Sequence, residues 1–154
     1  MTILILMKIR EINNKIYLNI LINKKHTMTT NKSLGIWMDH SSAHLMELTS
    51  APIVTTILDS TFTHVAKEQS LEKGEKLMHH KEQHQQAAYY KKLGESIKNY
   101  DDVLLFGPTD AKIELLNLLR ADNTFSKIKI ETKQSDKMSV NEEHAFVRNY
   151  FSKR

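Results

Sequence analysis

The sequence predicts an α/β domain built on a mixed five-stranded sheet, in the order β-β-β-α-β-α-β-α. Three observations carry this. Strand-like segments follow one another between residues 34 and 58, separated by short polar turns. Asp102-Val103-Leu104-Leu105-Phe106-Gly107-Pro108 is an apolar run that ends in a sharp turn. From residue 85 onward, segments with helical spacing alternate with strand-like ones. The 154 residues suit one domain, and a chain of this size buries roughly two-thirds of its unfolded surface.

Composition narrows the function classes. There is no cysteine, which excludes disulfides, thiolate zinc sites and a cysteine nucleophile, and fits a reducing compartment. The net charge of +4 is a local property. Lys8, Arg10, Lys15, Lys24 and Lys25 against Glu11 account for all of it, so residues 28–154 are neutral. A general basic surface for nucleic acid is therefore not indicated, although a local patch is compatible with it.

Residues 1–30 read as an N-terminal extension to a domain covering 31–154. Two apolar runs, residues 3–7 and 16–22, are too short to span a bilayer. Their order relative to the charges does not match a secretory signal. The expectation is a start assigned upstream of the true one at Met28. The alternatives are a membrane-surface anchor or an extra edge strand.

The elements follow in order. Leu34-Gly35-Ile36-Trp37-Met38-Asp39 reads as a strand, His40-Ser41-Ser42 as a polar turn, and residues 43–48 as the returning strand. Pro52 opens a third strand over residues 53–58, rich in Ile, Val and Thr. Residues 60–86 are polar, with only Leu71, Leu77 and Met78 as large aliphatics beyond the first few positions, and so lack the apolar stripe of a core helix. They are expected to form a mobile, partly helical excursion.

Tyr90, Leu93, Ile97 and Tyr100 recur on one helical face, predicting a helix over about 85–99. Residues 103–106 are apolar without alternation, which means burial on both faces and an interior strand. Thr109 is expected to cap the next helix, with Asp110 in its first turn and Ile113, Leu115, Leu116, Leu118 and Leu119 as its apolar positions. Residues 127–132 alternate strictly, as an edge strand does. Ser139 and Glu142 match a capping box. The last helix is expected to bury Val140, His144, Val147 and Phe151. This is the element order of the ribonuclease H-like fold.

Four pieces then carry a family resemblance. They are Gly35-Ile36-Trp37-Met38-Asp39-His40, the return strand 43–48, Phe106-Gly107-Pro108-Thr109-Asp110-Ala111-Lys112, and Asp136-Lys137-Met138-Ser139. Over about residues 33–152 the chain resembles the middle domain of archaeo-eukaryotic class-one release factors and the related Pelota proteins. More closely, it resembles small bacterial proteins related to that domain. In release factors the loop after the third strand carries Gly-Gly-Gln, which positions water against the ester of peptidyl-tRNA. The matching segment here, residues 60–86, holds Gln69, Gln83, Gln85 and Gln86 but only one glycine, Gly74. The motif relies on backbone conformations that glycine adopts cheaply. The resemblance thus implies work around the ribosome or RNA and does not carry catalysis onto this chain.

Other candidate chemistry competes with plainer accounts. His79, His80 and His84 crowd the excursion beside Glu75 and Glu82. In a helix His80 and His84 share a face and form a zinc alternative, whereas a solvated polar segment explains them without metal. Ribonuclease H-like enzymes hold two divalent metals with acids on comparable elements. Asp39, Glu95 and Asp110 are the corresponding catalytic alternative, yet a hairpin tip, a solvent-facing helix position and a helix first turn explain them separately. The turn before Asp110 resembles a phosphate cradle, but Asp110 and Pro108 oppose that role, and Lys112 is left to serve the surface or an RNA phosphate. Of the aromatics that stack bases, Trp37 and Tyr90 read as core and Tyr89 as exposed.

The expected function is a cytoplasmic, non-enzymatic factor that binds ribosomes or RNA through residues 67–86. His79, His80, Lys81, Gln83, His84, Gln85, Gln86 and Lys112 are the contact candidates. A peptidyl-tRNA or RNA hydrolase and a protein-interaction module without an RNA role are the alternatives. No cofactor and no membrane partner is expected, and the oligomeric state is open.

Overall fold

The computed structural model describes residues 31–48, 52–60 and 75–153, which all belong to the unit Asn31–Arg154. Expectations placed on residues 1–30 and 61–74 concern segments outside the described residues. Five strands form one sheet: Ser33–Met38 (β1), Ser42–Leu48 (β2), Val54–Asp59 (β3), Asp102–Gly107 (β4) and Lys129–Gln134 (β5). Their order across the sheet is β3-β2-β1-β4-β5. The first three pair antiparallel, and β4 runs parallel to both β1 and β5. The mixed sheet matches the expected class.

Three helices pack on it: Glu75–Ile97 (α1), Ala111–Ala121 (α2) and Val140–Ser152 (α3). The two parallel connections run in the same direction across the sheet through a helix: β3–α1–β4 passes over β2 and β1, and β4–α2–β5 joins neighbours. Because such crossovers share one hand, α1 and α2 lie on the same face. There Tyr89, Leu93, Ile97, Leu115 and Leu119 pack with Leu34, Ile36, Val103 and Leu105. On the opposite face Val147 of α3 packs with Trp37, Met46, Leu104 and Phe106, and Phe146 stacks on Phe106 with ring centroids 4.8 Å apart. The side chains of residues 103–106 are all fully buried, as their unbroken apolar run predicts.

Several elements differ from the sequence reading for identifiable reasons. α1 begins at least ten residues before the expected start. Its early turns are dominated by Glu, Lys, Leu, Met and Gln, which favour helix without a buried stripe, and the helix is anchored further along by the tyrosine pair. The second half of the polar excursion is therefore regular helix. In α2 the buried positions are Ala111, Lys112, Leu115, Leu116 and Leu119, whereas Ile113 and Leu118 face outward. The α2 cap is Asp110, acting through its carbonyl, which accepts from the N–H groups of Ile113 and Glu114 at 2.8 and 3.0 Å. Thr109 Oγ1 makes only a 3.4 Å bond with Ala111 N–H. β5 starts two residues later than expected and lies at the sheet edge. In α3 the capping box forms as expected, but Val140 is exposed and His144 and Phe151 are half-buried. Glu143 takes the inward position beside Val147.

Two glycines permit close approach. Gly107 ends β4 with φ +149°, and a methyl group there would strike the Met38 carbonyl of β1. Gly35 lies under α3, where a methyl group would strike Val147. Gly107→Ala is expected to destabilise the fold by about 2 kcal/mol or more, since backbone strain and a backbone collision combine. Gly35→Ala is expected to cost about 1–3 kcal/mol. Adding Val147→Ala to it should give less than the summed losses, because a smaller side chain admits the methyl group. Urea denaturation of the single and double variants measures both effects.

Candidate functional site

In α/β sheets, ligands bind beyond the carboxyl ends of the strands. At this end of β1 the chain turns through Asp39 and His40. Asp39 Oδ1 accepts from the N–H groups of Ser41 and Ser42 at 2.7 and 2.8 Å, and Asp39 N–H donates to the Ser42 carbonyl at 3.0 Å. Tyr89 of α1 donates its hydroxyl proton to the Asp39 carbonyl at 3.1 Å. The tip is thereby fixed to the helix, and His40 projects beside α2.

There a four-membered network forms. His40 Nε2 lies 3.3 Å from Glu114 Oε1. Tyr90 donates to Glu114 Oε2 at 2.7 Å, and Gln86 Nε2 donates to the same oxygen at 2.9 Å and to the Tyr90 hydroxyl at 3.0 Å. Burial raises the Tyr90 hydroxyl above the usual tyrosine range, and its bond to Glu114 adds to the rise. The Glu114 carboxyl is held below the usual glutamate range, first by the Tyr90 bond and then, against opposing burial, by His40. A cleft of about 210 Å³ opens here between His40, Ser60, Glu82 and Gln86. A second hollow on the other side of Gln86 is lined by Gln83, Tyr90, Glu114 and Asn117. The corner holds hydrogen-bonding groups in fixed positions beside an open cleft.

The sequence candidates distribute unevenly over this frame. Gln86 belongs to the network, and His80, Lys81, Gln83 and His84 are exposed on α1. Gln85 is half-buried, with Oε1 unpartnered. His79 lies within α1, and its side chain is outside the described residues. Lys112 corrects the expectation of a surface or phosphate contact: it is 3% exposed, and its ammonium donates to the Thr109 carbonyl at 2.6 Å. Tyr89 corrects the expectation of an exposed aromatic, being 2% exposed, whereas Trp37 and Tyr90 are core as predicted. Asp39 is at the hairpin tip, Asp110 caps α2, and Glu95 is an exposed helix residue paired with Lys98 at 2.8 Å. Among the described residues no three His, Asp or Glu side chains converge as a metal-binding group.

His40 and Glu114 went unassigned in the sequence reading. His40 lies inside the singled-out stretch Gly35–His40, and Glu114 follows Asp110 by one helical turn, but nothing local shows that the two elements meet. A second unforeseen pair lies on the other face. Glu143, 1% exposed, meets His44 Nδ1 at 2.9 Å, and the His44 ring packs 5.1 Å from that of Trp37.

No protein-family model matches the chain, and no curated protein matches it. Among solved structures it is similar to Pelota of Archaeoglobus fulgidus, with TM-score 0.53 and 7% identity over 86% of this chain and 35% of that one. It is also similar to Pelota of Thermoplasma acidophilum, at TM-score 0.49 and 13% identity over 89% and 37% of the two chains. An archaeal translation termination factor matches at TM-score 0.49 and 16% identity over 81% and 39%. The chain spans little more than a third of these proteins. At such identities the likeness is one of fold, and the domain shares the fold of the matching part of the Archaeoglobus Pelota. Among the described residues no helix is long and apolar enough to cross a membrane.

Two outcomes test the site. Because the folded-state pKa of Glu114 is depressed, its carboxylate stabilises the fold at neutral pH, and this contribution fades as pH falls through the depressed value. The stability gap between wild type and Glu114→Gln is therefore expected to shrink as pH is lowered through and below the ordinary glutamate range, as followed by thermal unfolding. His44→Ala should cost about 3–5 kcal/mol in urea denaturation at neutral pH, because it leaves a buried carboxylate without its partner.

Proposed function

We propose that this domain is a translation-associated binding factor that contacts ribosomal or other RNA through the outer ridge of α1. The observation that carries the reading is the set Lys81, His84, Lys91 and Lys92, exposed along one side of a single helix. Glu82 on the same helix lines the inner cleft instead and Glu95 is paired with Lys98, so the ridge keeps a local basic character within a domain whose total charge is balanced. Helix α1 is held at Tyr89, Tyr90, Leu93 and Ile97, so the ridge is presented rigidly. Lysines placed this way suit phosphate contacts. The Pelota-like fold supports a translational setting, and the lack of Gly-Gly-Gln supports binding without ester hydrolysis. The domain would work in a soluble, cytoplasmic setting.

Co-sedimentation with ribosomes tests this. Pelleting is expected at low salt and should fall steeply as salt rises. Reversing Lys81, Lys91 and Lys92 to Glu should weaken binding at least about tenfold and reduce the salt slope by about 2 to 3. Unchanged pelleting of that triple variant would remove the proposal. In a peptidyl-tRNA release assay the protein is expected to leave the ester intact.

A further inference from the structure

We propose that β3 is a self-association edge, through which two copies of this chain pair antiparallel about a two-fold axis and join their sheets into one. β3 is terminal in the sheet, and among the described residues no strand pairs with its outer edge. It also carries the two most exposed large hydrophobic residues described, Val54 at 73% and Ile57 at 57%. They lie on opposite faces: Val54 stands opposite Glu47 and Ile57 opposite His44.

The contrast with the other edge is informative. Sheet edges that must stay unpaired carry charges, lysine above all. β5 has Lys129, Glu131 and Lys133 along its length. β3 reads Val-Thr-Thr-Ile-Leu-Asp, with one charge, at its end. Its β-branched residues favour pairing, and Pro52 and Asp59 stand only at its two ends, leaving Val54–Leu58 without a charge or proline.

The strand's own sequence specifies the occupant. A two-fold axis perpendicular to the sheet keeps each face on its own side, so facing residues must share a face. The register that sets Thr56 opposite its own copy places Val54 against Leu58 and Ile57 against Thr55. Both exposed aliphatics then gain a cross-strand neighbour. Asp59 falls opposite Ile53, so the two acids sit at far ends of the ladder. Shifting the axis to Ile57 would instead leave Val54 against Ser60. A hollow of about 280 Å³ flanks Val54 and is lined by Leu34, Leu45, Thr56 and Tyr100, so apolar surface continues inward from the exposed Val54. The balanced charge of residues 28–154 sets up no net repulsion between two domains. An edge contact of six residues is smaller than the roughly 1,200 Å² of stable interfaces, so the dimer is expected to depend on concentration.

The chain has no cysteine, so single introduced thiols report the register without background. Facing residues have Cα atoms about 4.5–5.5 Å apart, within the Cα separation that a disulfide spans. A residue offset from its copy by two positions along the strand is roughly 8 Å away. Mild oxidation of full-length Thr56→Cys is therefore expected to give covalent dimer, and Ile57→Cys little. In sedimentation velocity the wild-type mass should rise with concentration. A Val54→Lys/Ile57→Lys variant, altered only at exposed positions, should stay monomeric with an unchanged circular dichroism spectrum. A monomer at every concentration, equal cross-linking from both thiols, or undiminished association of the double-lysine variant would each overturn the proposal.

Discussion

Strand β4 is enclosed from both sides, and the layout of the domain follows from that. Val103 and Leu105 lie under α1 and α2, while Leu104 and Phe106 lie against α3. A strand that is apolar on both faces cannot border water, so it requires helices above and below it. Burying four such side chains stabilises the fold by about 1.5–3 kcal/mol each. That gain depends on close approach: α3 reaches β1 because Gly35 has no side chain in front of Val147. The end of β4 passes the Met38 carbonyl only because Gly107 occupies a backbone region where other residues are strained.

The same constraint builds the corner where His40 meets Glu114. Since β1 and β4 run parallel and adjacent, their carboxyl ends emerge side by side. The hairpin tip with His40 and the first turn of α2 with Glu114 are thereby brought within hydrogen-bonding distance. α1 completes the corner through Gln86, Tyr89 and Tyr90. The His40–Glu114 pair is itself a surface contact, both side chains being nearly half exposed, so it adds little stability. Its effect is positional. Lys112 shows the reverse case: its charge is buried and satisfied by the turn it closes, which makes it part of the scaffold.

Away from the core, the domain spends its polar residues unevenly. The early turns of α1 gain their helical form from local preference and from the anchored turns that follow, leaving their outer side chains open to solvent. Edge β5 is charged along its length, and edge β3 is not. One border of the sheet is thus shielded against pairing, and the other retains apolar side chains on both of its faces.

Much of the fold was legible in the residues. The unbroken run 103–106 required an interior strand, the hairpin tip and capping box were local patterns, and Tyr90, Leu93 and Ile97 marked a buried helical stripe. The early start of α1 was missed because a polar segment shows no stripe even where its propensity is high. Tyr89, Lys112 and Glu143 were misplaced or overlooked because polar atoms permit burial once a partner is supplied, and those partners come from elsewhere: Asp39, Thr109 and His44. The sequence by itself determined the elements, the double burial of β4 and the neutrality of the domain, since these follow from near neighbours along the chain. Only the tertiary structure decided that His40 meets Glu114 and that, among the described residues, no strand pairs with the outer edge of β3. Pairings across 74 residues depend on which strands lie side by side, and local pattern carries no information about that.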